Sequence, residues 1–317
     1  MWLNIVLIIT GLILLQQGAA FFVRGSSGLA RKFHVSELAI GLTIVAFGTS
    51  APELVVNSFA SFKNNYDIVF GNIIGSNIFN LFVILAIVAI IAPMKVQSST
   101  AWREIPFSFF AIILLFLLTN DQIIFNKDIS RLSRFDGIIM LIAFSLFLLY
   151  VFKQLKYDTN SIPADKDNDK TGKIIVLVVL GLTGLVLGGK LVLDNAVKLA
   201  SELGMSEKLI GLTIVAAGTS LPELATSIVA AIKRNHDIAI GNIIGSNIFN
   251  ILFILPASSL MQPLIYSPGF NRDIGVIAGG TVVLFIAMYT GRRMQIDRWE
   301  ALVLFSSYVV YLFLMVK

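Results

Sequence analysis

The sequence predicts an all-α polytopic membrane protein: ten transmembrane helices forming two five-helix repeats of inverted topology. Three observations lead there. The 317 residues are 56% hydrophobic and only 14% charged, against about 25% charged in an ordinary soluble domain, and mean hydropathy is +0.86. This excludes a soluble globular enzyme. The apolar residues fall in long runs, such as 3–16 and 105–118, with neither strand alternation nor a helical stripe. Finally, two motifs recur at one fixed spacing along the chain.

A helix crossing the bilayer core needs about 20 mostly apolar residues, and ten segments qualify: 2–23, 36–62, 68–92, 104–119, 136–154, 173–200, 206–232, 238–262, 273–290 and 299–316. Helices are expected because backbone amides in lipid must be satisfied within their own segment or in a closed barrel, and a barrel would show short alternating strands. The first segment lacks the charged start of a cleaved leader and reads as a membrane helix. Segments 1 to 5 make a first repeat, 1–155. The polar stretch 156–172 (KYDTNSIPADKDNDKTG) is a flexible linker, too short to fold alone. Segments 6 to 10 make a second repeat, 173–317.

Residues 41–54 read GLTIVAFGTSAPEL and 211–224 read GLTIVAAGTSLPEL, while 71–80 and 241–250 both read GNIIGSNIFN, each pair lying 170 positions apart. The flanks follow, Ser36-Glu37 recurring as Ser206-Glu207 and Asp67-Ile68 as Asp237-Ile238. This is a duplication. With five segments per copy, an odd number, the second copy enters the membrane from the opposite side, an arrangement typical of secondary transporters. If the N-terminus is outside, the cytoplasmic loops hold 15 of the 24 Lys and Arg residues, Arg24, Lys95, Lys153, Lys233 and Arg292 among them. Positive-inside bias therefore puts both termini outside and the linker in the cytoplasm, although the loop with Lys127, Arg131 and Arg134 opposes it. There is no cysteine, hence no disulfide or thiolate site. The net charge of +5 is spread between apolar segments and implies no nucleic acid.

An acid inside a membrane segment costs on the order of 2.5–3.5 kcal/mol on insertion scales, so it is read first as functional. Glu53 and Glu223 are such acids, deep in segments 2 and 7. About a pseudo-twofold axis they would converge near the midplane. Gly48 and Pro52 flank Thr49-Ser50, and Gly218 and Pro222 flank Thr219-Ser220. Proline removes a donor and clashes four residues back, which would partly release carbonyls at 46–49 and 216–219. The resulting set is all oxygen and suits hard cations, calcium in particular. Asn72, Ser76 and Asn80 form a stripe on segment 3, repeated as Asn242, Ser246 and Asn250 on segment 8. Their neutral oxygens suit Na⁺.

Blander readings stand beside these. A Gly/Pro kink can be purely architectural, and hydroxyls and amides often act as interhelical glue, Asn72 and Asn242 most readily. No Lys or Arg lies at comparable depth in segments 2, 3, 7 or 8, with Lys190 of segment 6 the arguable exception. Glu37, Glu207, Asp67 and Asp237 fit helix N-termini better than ion entry. His34, His236, Asp121, Asp128 and Asp136 read as solvated. Asp194 has no clear counterpart.

At the GTS-x-PEL and GNIIGSNIFN motifs the chain resembles the calcium/cation antiporter superfamily, in its sodium/calcium exchanger branch of prokaryotic type; the proton-coupled branch usually carries a Gly-Asn signature in place of Gly-Thr-Ser. The resemblance covers essentially the whole chain. It implies calcium held by Glu53 and Glu223 with the carbonyls of Thr49 and Thr219. Sodium would use the same glutamates with Ser50, Ser220, Ser76, Ser246 and the carbonyls of Ala46 and Ala216. Asn80 would complete the middle of the site. Many relatives have Asp where this chain has Asn250, which removes a third carboxylate and argues against potassium co-transport. The activity implied is Na⁺/Ca²⁺ antiport by alternating access in the cell membrane, with Ca²⁺, Na⁺ and lipid as the only partners and neither cofactor nor protein partner. Two fixed charges are balanced by one Ca²⁺ or by two or three Na⁺, so competition enforces exchange. Ca²⁺/H⁺ antiport is the rival within transport, and a cation channel the rival outside it.

Overall fold

The computed structural model describes residues 2–126, 128–155, 171–204 and 216–316. Residues 156–170 of the linker, Ser206, Glu207 and the 211–215 start of the second GLTIVAAGTSLPEL motif lie outside the described residues. The helices are α1 (Trp2–Lys32), α2 (Glu37–Thr49), α3 (Ala51–Phe62), α4 (Tyr66–Ile91), α5 (Thr100–Thr119), α6 (Asp121–Phe125), α7 (Arg134–Leu155), α8 (Thr171–Glu202), α9 (Ala216–Gly218), α10 (Leu221–Ile232), α11 (His236–Met261), α12 (Pro268–Ala287) and α13 (Arg298–Val316). Among the described residues, eight of them are long and apolar enough to cross a bilayer, and nine spans result when the bent pair α2–α3 counts as one. The chain is an all-α, multi-pass membrane protein. The seventh expected segment, 206–232, is described only from Ala216 onward, as α9 and α10.

Helix α1 runs to Lys32, well beyond residue 23, because its last turns carry Arg31 and Lys32. Cations there complement the carbonyl end of the helix dipole. These charges, expected in a loop, are therefore helical. Helix α2 begins at Ser36, whose Oγ accepts the Ala39 amide at 3.2 Å; Glu37 follows in the first turn. Helix α7 starts on a reciprocal cap, with Ser133 Oγ accepting the Asp136 amide at 3.2 Å, and in α13 an acid in the first turn reaches back to the preceding amide. The Ser133 amide donates to Asp136 at 2.8 Å and the Asp297 amide to Glu300 at 2.7 Å.

The 170-residue offset persists in the elements. A single i→i+5 turn interrupts α4 at Asn80–Ile84 and α11 at Asn250–Ile254. Short strands follow at Met94–Lys95 (β1) and Leu264–Ile265 (β3). β1 pairs antiparallel with Gln295–Ile296 (β4), and β3 with Arg131–Leu132 (β2), so each half lends its strand to the other.

The chain forms two compact units, each drawn from both halves: Met1–Pro52 with Val151–Asn242, and Glu53–Tyr150 with Ile243–Lys317. In the first, α1 and α8 run antiparallel along a glycine seam. A Cβ on Gly18 would lie 2.7 Å from the Leu185 nitrogen, and one on Gly188 would lie 2.8 Å from the Gly11 carbonyl. The backbones approach so closely that only glycine fits, the small-residue packing typical of membrane helices. Lys233 Nζ donates to the Ala20 carbonyl at 3.0 Å and Asn235 Nδ2 to Ser27 Oγ at 2.9 Å, holding α1 to the loop after α10. In the second unit α12 packs on α4 and α5, and α13 packs on the last turns of α4. Asn120 and Asn271 exchange amide hydrogen bonds of 2.9 and 2.7 Å beneath Tyr266. The apolar windows of α4 and α11 are 78% and 94% buried, against 28% for α1 and α8. Polar residues on α4 and α11 are thus largely shielded from lipid.

Candidate functional site

The GTS-x-PEL motifs break their helices in the same way. Ser50 has φ −82°, ψ 6° and Ser220 φ −87°, ψ 9°, just outside the helical basin. New helices start at Ala51 and Leu221, which places Pro52 and Pro222 second in each. There the missing N–H is one that no helix bond would have used. The prolines therefore begin helices; they do not kink continuous ones. The carbonyl of Ala46 stays occupied, contrary to the expected release: it accepts the Ser50 amide at 3.0 Å and lies 3.3 Å from Thr49 Oγ1. That hydroxyl is also 3.0 Å from Asn242 Oδ1, and its single proton serves one acceptor at a time.

The first unit brings together residues from both motif copies. Glu223 is completely buried, and Ser50 Oγ donates to its Oε1 at 2.9 Å. Asn242 Nδ2 donates to the Glu223 carbonyl at 3.3 Å and to Ser227 Oγ at 2.9 Å. Ser50, Thr49, Glu223 and Asn242 thus share one cluster. Thr219 and Ser220 are buried as well. Helices α1 and α8 close over the breaks, since a Cβ on Gly48 would meet the Phe22 ring at 2.9 Å and one on Gly189 would touch Pro222 at 3.6 Å.

In the second unit Glu53 is also completely buried, in the first turn of α3. Asn72 Nδ2 donates to Asn57 Oδ1 at 2.8 Å, and Asn57 Nδ2 to the Val69 carbonyl at 3.3 Å. Asn72 is therefore tied to α3 as interhelical glue, and Asn242 makes the equivalent bond to Ser227 while also reaching Glu223. Ser76, Ser246, Asn80 and Asn250 are all buried. Asn80 Nδ2 donates to Asn247 Oδ1 at 3.0 Å and Asn250 Nδ2 to Asn77 Oδ1 at 2.9 Å.

Asn77 and Asn247 escaped sequence reasoning, since they fall off the every-fourth-residue stripe; their identity in both copies of GNIIGSNIFN was the available signal. Lys190 and Asp194 are exposed on α8, and no Lys or Arg is buried among the described residues. Asp67 and Asp237 sit in first helical turns. Asp121, expected in solvent, is buried at the start of α6, whereas Asp128 and His34 are exposed.

A family model described as sodium/calcium exchanger protein matches residues 3–153 and 173–317. The sodium/calcium exchanger MaX1 of Methanosarcina acetivorans is 33% identical, over 98% of this chain and 97% of that one. The inner membrane protein YrbG of Escherichia coli is 34% identical, over 98% and 96% respectively. Among solved structures, the sodium-calcium exchanger NCX_Mj soaked with Na⁺ and Sr²⁺ superposes with a TM-score of 0.84 at 33% identity, covering 98% of this chain and 97% of that one.

Proposed function

The chain belongs to the sodium/calcium exchanger family, and from that premise we propose how its residues carry out exchange. It is a sodium/calcium antiporter and not an enzyme. The ions are its substrates. In this reading Glu53 and Glu223 are the two carboxylates shared by both cargoes. Calcium takes both of them together with the carbonyls of Thr49 and Thr219. Sodium ions take the same acids with the hydroxyls of Ser50, Ser220, Ser76 and Ser246 and the carbonyls of Ala46 and Ala216, while the amide oxygens of Asn80 and Asn250 serve the middle position. The observation that carries the reading is the 2.9 Å bond from Ser50 to Glu223. It joins the hydroxyl of one motif copy to the carboxylate of the other, as convergence of the two copies requires.

Exchange follows from charge. One Ca²⁺ or two to three Na⁺ offset two carboxylates, and both loads together do not. An empty pair of carboxylates at low dielectric resists crossing, so the carrier returns loaded. A load of three Na⁺ leaves the site at +1, and moving that charge is worth about 2.3 kcal/mol per 100 mV.

The same reading arranges the chain as ten spans in two inverted repeats, 1–155 and 173–317, joined by a cytoplasmic linker, 156–172. It places the protein in the cell membrane with both termini outside. Support comes from the five spans of the first half and from the distribution of Lys and Arg. The test is ⁴⁵Ca²⁺ uptake by proteoliposomes under an outward Na⁺ gradient, with the pH gradient collapsed by ionophore. Uptake that persists supports sodium coupling; uptake that follows the pH gradient overturns it.

A further inference from the structure

The GNIIGSNIFN motif carries two asparagines near its end, and the structure crosses them between copies. Asn80 Nδ2 donates to Asn247 Oδ1 at 3.0 Å, and Asn250 Nδ2 donates to Asn77 Oδ1 at 2.9 Å. Asn77 is itself anchored, its Nδ2 donating to the Asn247 backbone carbonyl at 3.3 Å. None of the four exceeds 5% exposure. A primary amide is planar, with oxygen acceptor and NH₂ donor on opposite arms. Holding the NH₂ of Asn80 and Asn250 against a neighbour therefore fixes where each oxygen points. Those two oxygens are buried and accept no hydrogen bond, an arrangement costly for a polar atom unless something else uses it. The i→i+5 turns begin at these same residues, and such turns often mark functional sites.

We infer that Asn77 and Asn247 are positioning residues for ion binding: each holds the Asn80 or Asn250 amide of the opposite copy so that oxygen, not NH₂, faces the cation. A flipped amide would present donors that repel it. The inference rests on the reading of Asn80 and Asn250 as ion ligands.

The test is a set of double-mutant cycles on the full-length protein in proteoliposomes, scored as apparent Na⁺ affinity and maximal rate of ⁴⁵Ca²⁺ exchange. Asn77→Ala should weaken Na⁺ affinity about tenfold with little change in maximal rate, as expected for loss of one oriented ion–dipole contact. In an Asn250→Ala background the same change should cost nothing further; in an Asn80→Ala background it should cost the full factor. A merely structural role would give equal losses in both backgrounds. That result, or a silent Asn77→Ala, overturns the inference while leaving the ligand reading intact. If Asn250→Ala and Asn80→Ala themselves leave Na⁺ affinity unchanged, the ligand reading falls and the inference with it. Should Asn77→Ala not be recovered folded, Asn247→Ala against Asn80→Ala provides the mirror cycle.

Discussion

Glu223 has no exposed surface, and the hydroxyl that reaches its carboxylate comes from Ser50, far away in sequence. Removing an ion from water costs several kcal/mol unless its surroundings compensate, so the carboxylate and its oxygen-rich neighbours act as a group. Replacing Glu223 by Gln keeps shape and hydrogen bonding but removes the charge that calcium needs. Glu223→Gln is expected to reduce sodium-driven ⁴⁵Ca²⁺ uptake by about a hundredfold or more, with an unfolding transition in detergent close to that of the parent, because a buried neutral amide is less costly than a buried charge. Ser50→Ala deletes one hydrogen bond to a charged acceptor, worth about 1.5–3 kcal/mol. Apparent Na⁺ affinity should fall roughly tenfold or more, and unchanged affinity would remove Ser50 from the sodium sites. Glu223 was legible in the sequence as a deep acid in a repeated motif. Its partner was legible only by symmetry, since nothing in the spacing of residues 50 and 223 shows that they touch.

Helices α1 and α8 depend on glycine, and their seam can be tested apart from ion chemistry. Gly18 faces the Leu185 backbone with no room for a side chain, whereas Gly275 on α12 has nothing within 4 Å of an added Cβ. Gly18→Leu must separate the helices and should destabilise the protein by about 1–3 kcal/mol, read as a lower melting temperature in detergent. Gly275→Ala should leave stability unchanged or raise it by about 0.5–1 kcal/mol, since alanine restricts the unfolded chain. Equal effects at the two sites would argue against close packing along the seam. At this scale the sequence located helices well but not their ends. Hydropathy falls where Arg24 appears, yet the backbone remains helical to Lys32, because hydropathy reports solvent and hydrogen bonding reports conformation. The breaks at Ser50 and Ser220 likewise come from the turn itself, with Pro52 and Pro222 following as helix starters.

For the whole molecule, sidedness is the outstanding physical question, and the absence of cysteine makes it directly measurable. Asn126, in the left-handed turn after α6, should lie outside, and Arg293, before α13, should lie inside. With single substitutions Asn126→Cys and Arg293→Cys in intact cells, a membrane-impermeant maleimide is expected to label the first at once and the second only after permeabilisation. The reverse pattern would invert the topology and relocate the linker. The compact units add a lesson that hydropathy could not give. Each takes helices from both halves, and β1 pairs with β4 while β2 pairs with β3. The duplicated halves are thus units of sequence, whereas the packed bodies interleave them.

Composition, apolar run length and the exact 170-residue repeat were enough to determine that this chain is a helical membrane protein, and to single out Glu53, Glu223 and the motif hydroxyls. These are local or periodic properties, and bilayer thickness and backbone hydrogen bonding act on each segment separately. Tertiary structure alone decided that Ser50 meets Glu223, that Asn72 ties to Asn57, and that Asn77 and Asn247 hold the amides of the opposite copies. Such pairings depend on which helix faces pack together. For Ser50–Glu223 and the two asparagine pairs that is settled by side-chain fit across 167 to 173 residues of separation, a distance over which a one-dimensional pattern carries no geometry.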